Sequence, residues 1–224
     1  MIKNGIGLLG GSFNPVHNGH LRMAIQAAEA LCLDRVDLVP AKSPPHKSDR
    51  GLLPFDFRVK MLQKSIQGRS FMRVSDVEGK REGPSYTVDT LRGYREKEPE
   101  SRIVFILGAN DLLALCEWHR WKEIFSLADI AVVERKGIAG PLIEDFLQEN
   151  FPWSLRRKKS GIWLVGESTV RLVSMPRMDL SSSLLRGMWL SGEKLDFMLP
   201  DSVLDFLRDN RDMVDRVWSE QTDP

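Results

Sequence analysis

One stretch constrains the fold of this chain more than any other: residues 10–20 read Gly-Gly-Ser-Phe-Asn-Pro-Val-His-Asn-Gly-His. An apolar run precedes it and an amphipathic run over residues 21–31 follows it, which is typical of a strand, a tight turn and a helix. Gly10 and Gly11 let the main chain approach a ligand that a Cβ atom would block. The start of the following helix offers unpaired N–H groups and a positive dipole end to an anion. We therefore predict a phosphate site here, with a plain glycine-rich turn as the alternative.

Two histidines complete this candidate site. His17 and His20 lie three residues apart, and so on one face of the helix if it has begun there. Residues 5–10 also fit the pattern GxGxxG, but two of these glycines lie at the start of the strand instead of opening a helix, so we discount the match.

Composition limits the class of protein. With 224 residues, 42% hydrophobic and 28% charged, the chain is expected to form one globular domain over residues 1–224. The 32 basic and 31 acidic residues nearly cancel, so no overall field favours a nucleic acid or a membrane as partner. The one basic block, residues 156–159, is expected to be a solvated loop.

The cysteines and the N-terminus favour a cytoplasmic protein. Cys32 and Cys116 have neither CxxC spacing nor neighbouring metal ligands, which is typical of reduced thiols. The first residues lead straight into the glycine turn and leave no room for a signal peptide, and no run of 18 apolar residues is present. We expect no metal site built from protein ligands.

Hydrophobic periodicity predicts an α/β fold, a Rossmann-like doubly wound parallel sheet made of five strand–helix units. The predicted strands lie near residues 6–9, 34–40, 70–75, 102–108 and 128–133, and the predicted helices near 21–31, 55–66 and 87–94. The region 136–176 is the least regular, with a helix near 142–147 and strands near 162–165 and 170–173. A C-terminal helical part is predicted over about 181–210, and the tail over about 214–224 is expected to be frayed.

Further candidate residues follow the strands, at the sheet edge where open α/β folds bind ligands. His46 and Lys47 follow two prolines after the second strand, where a structural turn is the alternative. Thr87 and Thr90 resemble a helix start, and capping is the simpler interpretation of both. Trp118 could stack on a flat ring or pack on the sheet.

A second helix start near the C-terminus has the character of an anion site. Three serines, 181–183, precede an apolar run and mark a helix N-terminus. Arg186 should lean back over this turn, since helical side chains point toward the N-terminus. An N-cap with a surface arginine is the alternative. Two such helix starts suggest a triphosphate held at both ends. Because no nucleophile with a base is evident, direct in-line transfer is the simplest mechanism.

These motifs carry a family resemblance. His17-Asn18-Gly19-His20 matches the HxGH signature of the nucleotidyltransferase superfamily, and Leu180-Ser-Ser-Ser-x-x-Arg186 is similar to the ISSTxxR motif of bacterial adenylyltransferases. Residues 44–47, 86–91 and 108–118 resemble one branch, the nicotinate-nucleotide adenylyltransferases. The motifs occur in order from about residue 5 to 207.

The resemblance implies a reaction of NAD biosynthesis, in which ATP and nicotinate mononucleotide give deamido-NAD and pyrophosphate. It implies catalytic roles for His17, His20 and Arg186. It also implies binding roles. For ATP these fall on Gly10, Gly11, Ser12, Phe13, Asn110, Asp111, Ser182 and Ser183, and for nicotinate mononucleotide on His46, Lys47, Thr87 and Trp118. Mg²⁺ would be carried on the ATP phosphates.

The chain departs from the family pattern in three places. Ser183 replaces a threonine, Phe197 stands where a tyrosine is common, and the usual aspartate position falls on Asn110 or Asp111. The alternatives are an adenylyltransferase for nicotinamide mononucleotide or another phosphate acceptor, a synthetase-type adenylation domain, and a non-catalytic nucleotide sensor. Whether the chain forms a homo-oligomer is left open.

Overall fold

A computed structural model describes residues 5–45, 50–134 and 140–220 of the chain. The strands within these residues are β1 Gly5–Gly11, β2 Arg35–Pro40, β3 Met72–Val74, β4 Arg102–Gly108, β5 Asp129–Glu134, β6 Leu155–Lys159, β7 Ile162–Val165 and β8 Ser168–Ser174. The α-helices are α1 Asn18–Leu31, α2 Phe55–Ser65, α3 Thr87–Lys97, α4 Ala109–Leu113, α5 Trp121–Leu127, α6 Gly140–Asn150, α7 Ser182–Leu190, α8 Asp201–Asp209 and α9 Arg211–Ser219. A 3₁₀ turn spans Leu115–Glu117.

The described strands form one sheet in the order β3-β2-β1-β4-β5-β8-β7-β6. Strand β1 pairs in parallel with β4, β4 with β5, and β5 with β8, whereas β7 and β6 extend the sheet as antiparallel strands. The chain runs outward from β1 to β3 and then returns to β4 at the other side of β1, so the strand order reverses between β1 and β4. Ligands of open α/β sheets bind at the carboxyl ends of strands at such a reversal. The predicted α/β class with a doubly wound, mostly parallel sheet is confirmed.

The described residues divide into two compact units. One comprises residues 5–10, 23–37, 86–134 and 140–178, and the other residues 11–22, 38–45, 50–85 and 179–220. In the first, the central strands β4 and β5 are buried along almost their whole length, as expected for parallel strands covered on both faces. In the second, α2 and α8 pack together, with the rings of Phe57 and Phe206 stacked at 4.5 Å. Whether these units act as the single domain that the sequence predicts stays a prediction.

Two expectations from the sequence are wrong. The basic block at residues 156–159 belongs to β6, at the edge of the sheet, and is not a loop. Positive side chains at a sheet edge discourage further strand pairing, which accounts for lysine and arginine in a strand. The C-terminal segment is not frayed over residues 214–219, because α9 continues to Ser219 and buries Val214 and Trp218.

Candidate active site

The glycine turn leaves the sheet at Gly11 and enters α1 at Asn18. Its first residue is tied to the end of β2, since the Ala41 N–H donates to the Gly11 carbonyl at 2.9 Å. Phe13 has a left-handed φ of 47° and is fully buried. A bulky residue keeps such a backbone conformation only where its surroundings enforce it, so the shape of this turn is set from the protein interior.

The buried side chain of Asn14 holds the turn to three other parts of the chain. Its Nδ2 donates to the Gly51 carbonyl at 2.7 Å, and its Oδ1 accepts from the Leu53 N–H at 3.2 Å and from Trp218 Nε1 at 3.3 Å. An asparagine has both donors and acceptors on one short side chain, which suits such a junction.

The two predicted histidines form a stacked pair. The ring centroids of His17 and His20 lie 3.7 Å apart at 29°, and the His20 ring also meets Phe13 edge-on at 5.0 Å. His17 is buried, whereas His20 is half-buried and can reach a ligand. The His17 N–H donates to His20 Nδ1 at 3.3 Å. Because Nδ1 acts as an acceptor, the neutral ring carries its proton on Nε2 and presents that N–H as a donor.

Gly19 is required by the position of His17. A Cβ atom at residue 19 would lie 2.9 Å from His17 Nδ1 and 3.0 Å from His17 Cε1, closer than real contacts allow. The glycine of the His-Asn-Gly-His sequence therefore makes room for the first imidazole.

Asn18 connects the same turn to the segment before α8. Its N–H donates to the Met198 carbonyl at 3.0 Å, and its side-chain Nδ2 donates to the Phe197 carbonyl at 2.7 Å. Phe197 has a left-handed φ of 63° and an exposed side chain. The aromatic residue in the position of the usual tyrosine thus has its main chain fixed by the turn.

The serine helix α7 contacts the glycine turn directly. Ser181 caps the helix by accepting from the Leu184 N–H at 3.2 Å, and Ser182 Oγ donates to the Pro15 carbonyl at 2.9 Å. Arg186 Nη1 donates to the Asn14 carbonyl at 2.7 Å, and Nη2 donates to Ser183 Oγ at 3.2 Å. The structure therefore brings together the two helix starts that the sequence singles out.

Arg186 leans back over the serine turn as predicted, and it is half-buried, not a surface arginine. Burial lowers the pKa of its guanidinium below the ordinary value. The cluster combines imidazoles, hydroxyls, a guanidinium and the main-chain N–H groups at the start of α7. These are hydrogen-bond donors of the kind that bind phosphate oxygens.

A second group of predicted residues lies in the other unit, after β4 and at the start of α3. Trp118 is half-buried and meets Phe105 of β4 edge-on at 6.2 Å, and its main-chain N–H donates to the Leu115 carbonyl at 3.0 Å. That N–H is therefore already used within its own turn. Asn110 and Asp111 are exposed in α4, where Asp111 Oδ2 accepts from the Gly108 N–H at 3.2 Å. Asp111 thus caps its own helix, which leaves the side chain of Asn110 as the better candidate for a ligand.

The start of α3 differs from the capping interpretation. Tyr86 is the residue before the helix, no side chain caps it, and Thr87 is the first helical residue. Thr90 Oγ donates back to the Tyr86 carbonyl at 3.5 Å. The first N–H groups of a helix have no partner within it, so those of Thr87 and Val88 are suited to an anion.

Comparisons with known proteins decide the family. The Cytidylyltransferase-like family matches residues 8–188. A Trichlorobacter lovleyi protein named "Probable nicotinate-nucleotide adenylyltransferase" is 39% identical over 209 residues, which are 90% of this chain and 95% of that protein. A protein of the same name from Geotalea uraniireducens is 36% identical over 92% of this chain and 96% of its own length. The chain belongs to the nicotinate-nucleotide adenylyltransferase family.

Solved structures share the fold of this chain. Plasmodium falciparum nicotinic acid mononucleotide adenylyltransferase complexed with NaAD has a TM-score of 0.73 at 18% identity, covering 94% of this chain and 97% of that chain. A Vibrio parahaemolyticus structure described as a putative nicotinate-nucleotide adenylyltransferase has a TM-score of 0.64 at 17% identity, covering 95% and 96%. At these identities the structural likeness concerns the fold.

Not every residue implied by the family resemblance can be placed. His46 and Lys47 lie outside the described residues. A Cβ atom at Gly10 would meet only Phe105 Cε2, at 3.9 Å, so packing among the described residues does not require glycine at this position. A ligand that approaches the main chain would require it. No group of three or more His, Cys, Asp or Glu that could hold a metal ion occurs in the described ranges, and none of their helices is long and apolar enough to cross a membrane.

Sequence reasoning missed four residues that shape the site: Asn14, Asn18, Arg58 and Trp218. Asn14 and Asn18 lie inside the recognised motif, and an asparagine beside a glycine turn is a signal for side-chain bonding to the main chain. Arg58 and Trp218 gave no local signal, because each acts on a turn far away in the sequence.

Proposed function

We propose that this protein transfers the adenylyl group of ATP to nicotinate mononucleotide. A phosphate oxygen of the acceptor attacks the α-phosphorus of ATP, the bond from that phosphorus to the bridging oxygen breaks, and pyrophosphate leaves with the electron pair. The products are deamido-NAD and pyrophosphate, and no covalent enzyme intermediate forms. The observation that carries the proposal is the stacked His17–His20 pair joined to the Arg186 helix, in a chain of this family.

The proposed catalytic roles follow from the contacts. His20 presents its Nε2 N–H to the α-phosphate, where charge builds in the transition state. His17 is buried behind it and fixes its ring plane by stacking. Ser183 accepts from Arg186, so its hydroxyl hydrogen can still be donated to a phosphate oxygen. Ser182 spends its hydrogen on Pro15, so it orients the turn and binds phosphate through its main-chain N–H.

Metal enters as part of the substrate. The described side chains of the cluster are neutral or cationic donors, which match phosphate oxygens and not a bare cation. We propose that Mg²⁺ is carried on the triphosphate as Mg-ATP, which is common where a site lacks a carboxylate cage.

The acid form of the acceptor is favoured by the start of α3. Thr87 and Val88 offer N–H groups without a side-chain cap, together with the Thr87 hydroxyl. A nicotinate carboxylate accepts from all of these donors, whereas an amide turns an NH₂ group toward at least one of them. The mismatch should cost about 2–3 kcal/mol, which corresponds to about 30- to 150-fold in kcat/KM. Trp118 supplies the face for the pyridine ring, and His46, Lys47, Gly10, Gly11, Ser12, Phe13 and Asn110 complete the proposed set. We further propose that the protein acts in the cytoplasm.

The test is a direct assay of the products. Purified protein is incubated with Mg-ATP and, in separate reactions, nicotinate mononucleotide, nicotinamide mononucleotide and phosphopantetheine, and dinucleotide and pyrophosphate are separated by chromatography. We expect deamido-NAD as the main product. If none of the three acceptors leads to release of pyrophosphate, adenylyl transfer is refuted and a nucleotide sensor is favoured. Equal kcat/KM for the acid and the amide would refute the acceptor specificity alone.

A further inference from the structure

A fully buried arginine lies under the glycine turn. Arg58, in α2, is 1% exposed. Its Nε donates to the Leu53 carbonyl at 2.8 Å, and its Nη1 donates to the Ser12 carbonyl at 2.8 Å and the Ala41 carbonyl at 2.7 Å. These three carbonyls belong to the turn after β1, the turn after β2 and the segment before α2.

Packing alone does not explain an arginine here. Removing a guanidinium from water is costly, and a hydrophobic residue of similar volume is often at least as stabilising in such a place. Burial lowers the pKa of Arg58 to about 10, although the negative charge of the buried Glu78 carboxylate acts in the other direction and raises it. The side chain therefore keeps its charge at neutral pH. A planar fork with several donors can bind three carbonyls at once, which no neutral side chain of this length can do.

The bond to Ser12 fixes the orientation of one peptide plane. In a trans peptide the C=O and the next N–H point in opposite directions. Since the Ser12 carbonyl points to Arg58, the Phe13 N–H points away from Arg58. Phe13 has the left-handed φ of this turn, so the peptide is held in a conformation that the chain does not favour on its own.

The second carbonyl extends the same control to β2. The Ala41 N–H donates to Gly11, and the Ala41 carbonyl accepts from Arg58. The carbonyls of residues 11 and 12 thus accept hydrogen bonds from Ala41 and Arg58, which are also bonded to each other. The three carbonyl acceptors carry no net charge, and the buried carboxylate of Glu78 offsets only part of the guanidinium charge, since burial still dominates the pKa of Arg58. The guanidinium therefore contributes positive potential next to a turn that we propose binds a polyanion.

We propose that Arg58 is a positioning residue for the triphosphate: it turns the Ser12–Phe13 peptide so that its N–H meets the phosphates, and it adds a buried positive charge under them. This inference rests on the proposed function of the glycine turn. Arg58 does not touch the substrate, and it acts through the main chain of residues 11–13.

The test compares two variants of Arg58 with a control on the same helix. Arg58→Lys keeps the charge but loses the fork, and Arg58→Met removes both. Met61→Ala, at a fully buried position of α2, weakens packing and leaves the hydrogen bonds of Arg58 in place. Binding of inorganic tripolyphosphate and of Mg-ATP is measured by titration calorimetry at a temperature where each protein is folded, and kcat and KM are measured for both substrates.

We expect about 10-fold weaker tripolyphosphate binding for Arg58→Lys and about 100-fold weaker binding for Arg58→Met, since hydrogen bonds to charged groups are worth one to two decades in affinity. KM for ATP should rise and kcat should fall, with KM for the acceptor unchanged. Met61→Ala should lower the melting temperature and leave binding and KM unchanged. Should Arg58→Met not fold, Arg58→Lys carries the test, together with Arg58→Ala assayed with and without millimolar methylguanidinium, which should restore part of the binding.

The outcomes separate this inference from the proposed function. Binding of tripolyphosphate by Arg58→Lys within twofold of the wild type would overturn the inference. So would an equal loss of binding in Met61→Ala, because the effect would then be general loosening. A wild-type protein that binds tripolyphosphate more tightly than Arg58→Lys but forms no dinucleotide would refute the proposed function and leave the inference standing.

Discussion

Replacing Gly19 by alanine tests the geometry of the histidine pair without removing any of its polar groups. The new Cβ atom would lie 2.9 Å from His17 Nδ1, whereas ordinary contacts begin at 3.4 Å, so the ring must retreat by about 0.5 Å. His17 is buried and stacked on His20 at 3.7 Å, so this movement is passed to the second ring. A misplacement of about 1 Å at a reacting group can cost about 10²-fold in rate. Half that distance should lower kcat about 10-fold.

The same substitution has two opposing effects on stability, because displacing a buried ring in a packed core costs about 1–3 kcal/mol. Gly19 lies in the first turn of α1, and alanine is better than glycine in a helix by about 0.5–1 kcal/mol. Gly93→Ala in α3 is the matched control, because a Cβ atom there meets nothing within 4 Å. We expect the melting temperature, measured by calorimetry, to hold or rise in Gly93→Ala and to fall modestly in Gly19→Ala. At a temperature where both variants are folded, kcat for deamido-NAD formation should fall only in Gly19→Ala. A kcat for Gly19→Ala within twofold of that for Gly93→Ala would refute the role given to the ring geometry.

Three further substitutions test the roles of single donors. His20→Ala should lower kcat about 10²–10³-fold, or ~3–4 kcal/mol, because the His20 donor stabilises charge that forms in the transition state. ATP binding should change much less; steady-state kinetics measure kcat, and titration with ATP measures the affinity. Arg186→Lys should raise KM for ATP although the charge is kept, since an ammonium lacks the planar fork that binds two oxygens side by side. Arg156→Lys in β6 is the control and should leave KM unchanged; equal effects of the two substitutions would remove the case for a phosphate site at α7. Thr87→Val should reduce the preference for the acid acceptor and spare ATP binding; an unchanged kcat/KM ratio for the two acceptors would exclude Thr87 from recognition.

Local patterns in the sequence predicted most of the elements around the site. The strand, glycine turn and helix at residues 5–31 depend on short-range signals, namely an apolar run, paired glycines and a 3.6-residue stripe. The serine helix was equally visible, because N-caps depend on residues within one turn. Even β7 and the core of β8, in the least regular region, lie where the apolar runs placed them.

The errors concern interactions that no local window contains. The basic block at residues 156–159 lacks the apolar alternation of a strand, yet it pairs with β7 because an edge strand can be polar when its partner strand is buried. Asp111 was equivalent to Asn110 in the sequence, and only the bond to Gly108 distinguishes them. Arg58 was one more charged residue on an amphipathic helix, because its three acceptors lie in segments that only the fold brings together.

The last helix makes the same point and yields a prediction about Trp218. This residue is fully buried, its Nε1 donates to Asn14 Oδ1 at 3.3 Å, and its ring meets Trp189 edge-on at 5.7 Å. Because α9 thereby reaches the side chain that holds the glycine turn, its packing should influence ATP binding as well as stability. Trp218→Phe keeps an aromatic ring but loses the N–H donor and part of the volume.

Losing one buried hydrogen bond and a few buried atoms should lower the free energy of unfolding by about 1–2 kcal/mol. Asn14 Oδ1 still accepts the hydrogen bond from the Leu53 N–H, so the glycine turn should become less rigid but keep its conformation. We therefore expect KM for ATP to rise a few-fold in the folded protein. Trp153→Phe is the control, since that side chain is 98% exposed and packs on little. Urea unfolding and kinetics with ATP measure the two effects. If Trp218→Phe loses stability while its KM for ATP stays equal to that of Trp153→Phe, α9 stabilises the fold but does not position the glycine turn.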